Sequence, residues 1–308
     1  MNPLPDIDFE CPSISPNAFA DWQAESRLLD RLQIGFICGP QRSGTTWMVR
    51  LLQCHPEAVC RSEGHSMSGL GAGLIQAIRE ANKVYPEHSP FCRIEDRDVA
   101  MLCRQMIDRQ LLNYIASDPK SQSALRAVLD KTPRHTGFIP QLASLYPTSK
   151  FILCTRDPRD AGISWWKLVV RTREPECSFE DGLLYYAEHV WGAGVRAARA
   201  AGTVVGESRF METVYERRLE DPERETKRVL DFMGLDSSPL TLRRCLESGD
   251  LKNHDESWIA RQKPERAGAD DQHYTRGSAG NWRRFISDEL GEEILRRAQA
   301  AGEATVAA

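Results

Sequence analysis

The 308-residue chain has no apolar run near the length of about 20 residues that a membrane span requires. Met1 to Glu10 is acidic and contains proline, so a basic-then-apolar leader is not expected. Positive charge is not in excess: 40 Lys and Arg stand against 44 Asp and Glu, a net charge of −4. That balance supplies no global field for nucleic acid, although a local basic patch still suits a small anion. There is no CxxC pair and no zinc-like Cys/His spacing among the nine cysteines. An odd count with apolar neighbours, as at Ile37-Cys38 and Leu153-Cys154, predicts small buried thiols in a reducing compartment. Internal repeats and low-complexity linkers are missing too. The expectation is a cytoplasmic protein without an integral membrane segment or a nucleic-acid partner. Its 41% apolar and 27% charged residues are enough for a large core. The expected organisation is an N-terminal extension (1–32), one domain (33–300) and a C-terminal tail (301–308).

Short apolar runs alternate with longer helical patterns, the trace of an α/β fold with a central parallel sheet flanked by helices. Strands are expected at Ile34 to Cys38, Ala58 to Cys60, Ala127 to Leu129 and Lys150 to Thr155, with another beginning at Thr203 to Val205. Helices are expected at Thr45 to Cys54, Leu70 to Asn82, Glu95 to Ser117, Asp160 to Val170 and Ser178 to Ala200. Asp221-Pro222 opens another, which runs to Met233 before Gly234, and the last covers Asp288 to Ala300. Lys252 to Arg284 is polar and aperiodic, and is expected to be a loop, functional or disordered.

Between the first strand and the first helix lies Gly39-Pro40-Gln41-Arg42-Ser43-Gly44-Thr45-Thr46, with four residues between its two glycines. That spacing suits a phosphate-binding loop. Small residues let backbone N–H groups turn inward, and the helix start directs its positive end at the site. Thr45 and Thr46 add hydroxyls. A nucleotide triphosphatase needs Lys directly after the second glycine, where this chain has Thr45; here the cation is Arg42, inside the loop. The segment PQRSGTTW resembles the 5′-phosphosulfate loop of sulfotransferases that use 3′-phosphoadenosine 5′-phosphosulfate (PAPS), in the arginine form of the tyrosylprotein and several bacterial branches.

A second anion motif follows the strand Lys150 to Thr155. Arg156 leaves the strand at the sheet edge where ligands bind, and Asp157-Pro158 caps the next helix. RDPRDAGIS is similar to the family's 3′-phosphate motif, and Arg156 and Ser164 keep its eight-residue spacing. By the same resemblance Gln41, Arg42, Ser43, Gly44, Thr45 and Thr46 would cradle the 5′ end, and Trp47 and Tyr215 would approach adenine. Arg276 and Gly277, in a stretch like the family's R-K-G-x-x-G-D-W, would close over the 3′-phosphate; Thr275 and Asn281 depart from that pattern. Core packing against Leu51 is the competing reading for Trp47.

The resemblance implies metal-independent transfer of a sulfuryl group from PAPS to a hydroxyl or amine, with adenosine 3′,5′-bisphosphate (PAP) as product. Arg42 would bind the transferring group, and Lys131, in Lys131-Thr132-Pro133, would stabilise it. Cytosolic members carry a basic His where Pro133 stands, so the base lies elsewhere. Glu63, 21 residues after Arg42, matches the catalytic Glu of the tyrosylprotein branch; His135 and, more weakly, His65 compete with it. A small-molecule, carbohydrate or lipid acceptor is expected, with the oligomeric state left open. Two alternatives stand beside this reading: a P-loop kinase for a small metabolite, and a nucleotide-binding protein without turnover.

Overall fold

The computed structural model describes residues 17–84, 93–170, 177–249 and 279–303. Its centre is a five-stranded, all-parallel sheet in the order β2-β3-β1-β4-β5. The strands are β1 (Gln33–Cys38), β2 (Ala58–Ser62), β3 (Ala127–Lys131), β4 (Lys150–Thr155) and β5 (Phe210–Val214). In chain order the helices are α1 (Ala18–Ser26), α2 (Thr45–Gln53), α3 (Ala72–Val84), α4 (Asp96–Ala116), α5 (Ile139–Leu145), α6 (Pro158–Trp165), α7 (Phe179–Tyr185), α8 (Ala193–Val205), α9 (Tyr215–Glu220), α10 (Pro222–Met233), α11 (Pro239–Gly249) and α12 (Asp288–Glu303).

The strand period of two explains how both faces are filled. Ile34, Phe36, Val128, Phe151 and Leu153 face one layer, with Ile107 and Leu111 of α4, Leu142 of α5 and Ala198 of α8. Ile37, Leu129, Ile152 and Cys154 face the other, with Met48 and Leu52 of α2 and Val229, Leu230 and Met233 of α10. Buried on both sides, the strands need the near-continuous apolar runs that made them legible. A smaller cluster of Ile163, Leu183, Trp282, Ile294 and Ala298 fastens α6, α7 and α12 together.

Helix ends follow local chemistry. Asp157 Oδ1 accepts from Arg159 N at 2.9 Å with Pro158 at the first helical position, and Asp221 caps α10 in the same way through Arg224 N. Single π-helical segments interrupt regularity at Ser66–Gly71, Trp166–Val170 and Tyr186–Gly192; such bulges concentrate at functional sites.

One expectation requires correction. Thr203 to Val205 is the last turn of α8, not a strand, and the strand is Phe210–Val214. The β-branched run misleads: Val204 is exposed, and Thr203 Oγ1 donates to Arg199 O one turn back, until Gly206 at φ +89° ends the helix. The aperiodic tract Lys252 to Arg284 ends in a 3-10 turn, Asn281–Arg284, while residues 252–278 lie outside the described residues.

Candidate active site

The loop after β1 is fixed by contacts that leave little room for side chains. A Cβ on Gly39 would lie 2.1 Å from Cys154 O of β4. Gly44, at φ +83°, is the N-cap of α2, and a Cβ there would meet the Tyr215 ring at 2.6 Å and the Arg218 guanidinium at 2.7 Å. Arg42 also sits in the left-handed region, at φ +73°. The Tyr186 hydroxyl donates to Gln41 O at 2.6 Å, and Trp165 Nε1 donates to Gln41 Oε1 at 2.9 Å. Ser43 and Thr45 are buried, and Thr46 and Trp47 half-buried. The first amides of α2 have no partner within the helix, so the loop presents N–H groups and hydroxyls to an anion.

Arg156 emerges from β4 buried, its guanidinium 4.5 Å from the Tyr215 ring centroid, while Trp191 Nε1 donates to its carbonyl at 2.8 Å. Ser164, on α6, is buried as well. Arg42 Nε donates to Ser164 Oγ at 2.9 Å, so two motifs 122 residues apart meet at one edge of the sheet. Trp47 packs edge-to-face on Tyr215, centroids 5.6 Å apart. Burial raises the Tyr215 phenol above its ordinary value, against the opposing pull of Arg156 and Arg218. Arg276 and Gly277 lie outside the described residues. The chain just beyond them is anchored to α6: Asp160 accepts from Gly280 N at 2.7 Å and from Trp282 N at 2.8 Å, and Arg159 stacks on the Trp282 ring.

The candidate catalytic groups come from the ends of β2 and β3, which pair so that Ser62 lies beside Lys131. Lys131 is 1% exposed, and its Nζ donates to Glu63 Oε1 at 2.9 Å. Glu63 is about half exposed, and its Oε2 lies 3.7 Å from His65 Nε2. Both Glu63 and His65 have left-handed backbones, φ +58° and +49°. Three successive amides hold this turn: Glu63 N to Lys131 O, Gly64 N to Asp130 Oδ1 and His65 N to Thr132 Oγ1.

His135 is not placed as a base. It is fully buried, bonded through Nε2 to Asp130 Oδ2 at 2.6 Å and packed edge-on against Phe36. Asp130 also accepts from the Tyr114 hydroxyl and Thr132 Oγ1. Burial works to raise the Asp130 carboxyl, but the bonds from His135, Tyr114 and Thr132 hold it below its ordinary value. Through its bonds from Gly64 N and Thr132 Oγ1, the carboxylate braces the Glu63 turn from inside.

Four participants escaped sequence reasoning: Tyr186, Arg218, Asp130 and Asp160. Asp160 stands inside a recognised motif, and its cap-like position was a usable signal. The other three act through contacts with residues distant in the chain. Among the described residues, no group of three or more His, Cys, Asp or Glu is arranged to hold a metal ion, and no helix is long and apolar enough to cross a membrane.

A family model described as "Sulfotransferase family" matches residues 36–239. The nodulation protein NoeE of Sinorhizobium fredii (strain NBRC 101917 / NGR234) is 30% identical over 219 residues, 66% of this chain and 50% of that protein. Protein-tyrosine sulfotransferase 2 of Gallus gallus is 27% identical over 222 residues, 71% of this chain and 55% of that protein. The chain thus matches about half the length of these curated relatives. Among solved structures, mouse sulfotransferase SULT7A1 complexed with PAP superposes with a TM-score of 0.52 at 13% identity, covering 93% of this chain and 91% of that one. Retinol dehydratase in a complex with retinol and PAP gives 0.51 at 16% identity, covering 94% and 87%. At such identities these two share the fold.

Proposed function

This chain belongs to the sulfotransferase family, and we propose that it transfers the sulfuryl group of PAPS to a hydroxyl or amine of a small-molecule, carbohydrate or lipid acceptor. The observation that carries the reading is the meeting of Arg42 with Ser164, which makes one anion-binding edge of the two motifs. The residues there fit a nucleotide with phosphate at both ends. Gly39 and Gly44 leave no space for a Cβ, and the donors are amides, hydroxyls and guanidinium groups. PAP in the two solved relatives supports the same cofactor class.

Bound PAPS supplies an activated sulfuryl group on a bisphosphate leaving group. Arg42, Ser43, Thr45, Thr46 and the amides around Gly44 would hold its 5′ end, and Gln41 would shape the loop. Arg156 and Ser164, with Arg276 and Gly277, would hold the 3′-phosphate, and Trp47 and Tyr215 the adenine. Arg42 stays protonated at physiological pH, so it stabilises charge rather than donating a proton. Lys131 supplies a second cation, held in place by Glu63 Oε1. We assign the acceptor's proton to Glu63 Oε2, leaving transfer to positioning and electrostatics. The seven described cysteines are free and five are buried, which supports a reducing, cytoplasmic setting.

Incubation with sulfur-35-labelled PAPS and a panel of phenols, sugars, sterols and amines tests the reading. Label should pass to at least one acceptor class, and should fail to pass with Arg42→Ala. Release of PAP by the wild type without a sulfated product from any class would count against it.

A further inference from the structure

Arg218 is a buried cation with no carboxylate partner among the described residues. It lies on α9 with 3% of its surface exposed. Nη2 donates to Ser43 O at 3.2 Å and Nη1 to Gly44 O at 3.3 Å, 175 and 174 residues away in the chain. Its guanidinium carbon lies 5.0 Å from the Trp47 ring centroid and 5.5 Å from that of Tyr215. Nε is buried and makes no hydrogen bond. Desolvation pulls the group below its ordinary value, against the opposing pull of Cys154, Tyr215, Glu216 and Glu225. A guanidinium buried among neutral oxygens and ring faces is costly, and a nearby anion offsets that cost.

The carbonyls it binds say where that anion belongs. In a trans peptide the C=O and N–H point in opposite directions. With Ser43 O and Gly44 O aimed at Arg218, the N–H groups of Gly44 and Thr45 are aimed away from it, into the loop. We propose that Arg218 is a positioning residue for the 5′-phosphosulfate end of the cofactor, setting these two peptide planes and placing a buried positive charge behind them. Charge on the carbonyl side also polarises each peptide, so its N–H is a stronger donor to an anion. Gly44 is glycine partly for this reason, because a Cβ would displace the guanidinium. The inference rests on the PAPS reading and adds a residue outside both recognised motifs.

Calorimetric titration of the full chain with two nucleotides tests it: PAP, which carries a 5′-phosphate, and adenosine 3′-monophosphate, which does not. Arg218→Met keeps an unbranched side chain and removes the charge. It should weaken PAP at least tenfold and the 3′-monophosphate less than threefold. Arg218→Lys, the variant to use if Met fails to fold, keeps the charge but cannot span both carbonyls. It should weaken PAP about three- to tenfold and leave the 3′-monophosphate unchanged. Parallel loss of both nucleotides, or loss of neither, in a folded variant overturns the proposal. A wild-type protein that binds neither nucleotide instead strikes the cofactor reading itself, a result distinct from either variant outcome.

Discussion

Arg42 Nε donates to Ser164 Oγ at 2.9 Å, tying the loop after β1 to the helix after β4, its neighbour in the sheet. The serine hydroxyl keeps its own proton to donate, so one residue can order the arginine and still meet a phosphate oxygen. Ser164→Ala removes both bonds. It should weaken PAP by about ten- to a hundredfold, as expected for hydrogen bonds to charged groups worth about 1.5–3 kcal/mol. Calorimetry on the variant checks this, with circular dichroism as the control for folding.

The Lys131–Glu63 pair makes a different prediction. Glu63→Gln keeps shape and some hydrogen bonding but removes the base, so kcat should fall by about 10²–10⁴-fold. PAP affinity should stay within about threefold, because the role proposed for Glu63 is toward the acceptor, through Oε2. Equal losses of binding and turnover would mean that Glu63 serves the cofactor site instead. His65→Gln, which alters the other half-exposed group beside Oε2, should cost far less than Glu63→Gln.

Asp130 and His135 should behave as structure. Removing one partner of a buried pair costs about 3–5 kcal/mol, so Asp130→Ala and His135→Leu should each lower the melting temperature by several degrees. The pH dependence has a definite sign. Asp130 in the folded state lies below its ordinary value of 3.8, so its contribution is fully present above that value. It is lost as pH falls through the lowered folded value. The melting temperature of the wild type should therefore decline in acid more steeply than that of Asp130→Ala. Turnover should survive in any folded His135 variant and fall with Glu63→Gln.

Asp160 links α6 to the chain beyond the late motif through Gly280 N and Trp282 N. Asp160→Ala should speed hydrogen exchange at those two amides at least tenfold, and should weaken PAP if this stretch helps to place Arg276 and Gly277. Unchanged exchange would show that Trp282, buried in its own apolar cluster, holds the segment unaided.

Sequence revealed the parts whose signals are local. The loop Gly39 to Trp47 combines turn glycines, a strand before it and a helix after it, and Arg156 to Ser164 combines a strand end with a capped helix. Buried strands β1 and β4 stood out as apolar runs. β5 did not, because Glu212 and Thr213 interrupt it, with Glu212 bonded to Thr155 and Arg199. Helix α5 spans only seven residues with a proline near its start, and α11 opens on a proline. His135 drew attention because its chemistry suits a base, and only burial on Asp130 shows its other use. Arg218 gave no signal: within Tyr215-Glu216-Arg217-Arg218 it resembles any solvated helix charge, and its role exists only once α9 is set beneath the loop.

The most direct test of the central claim is calorimetric titration of the wild-type protein with PAP, compared with ATP plus magnesium and with Arg156→Ala as the control. The account predicts that PAP binds more tightly than ATP and that Arg156→Ala loses at least tenfold for PAP. Tighter binding of ATP with magnesium, or PAP binding indifferent to Arg156, would contradict it and move the kinase reading to first place.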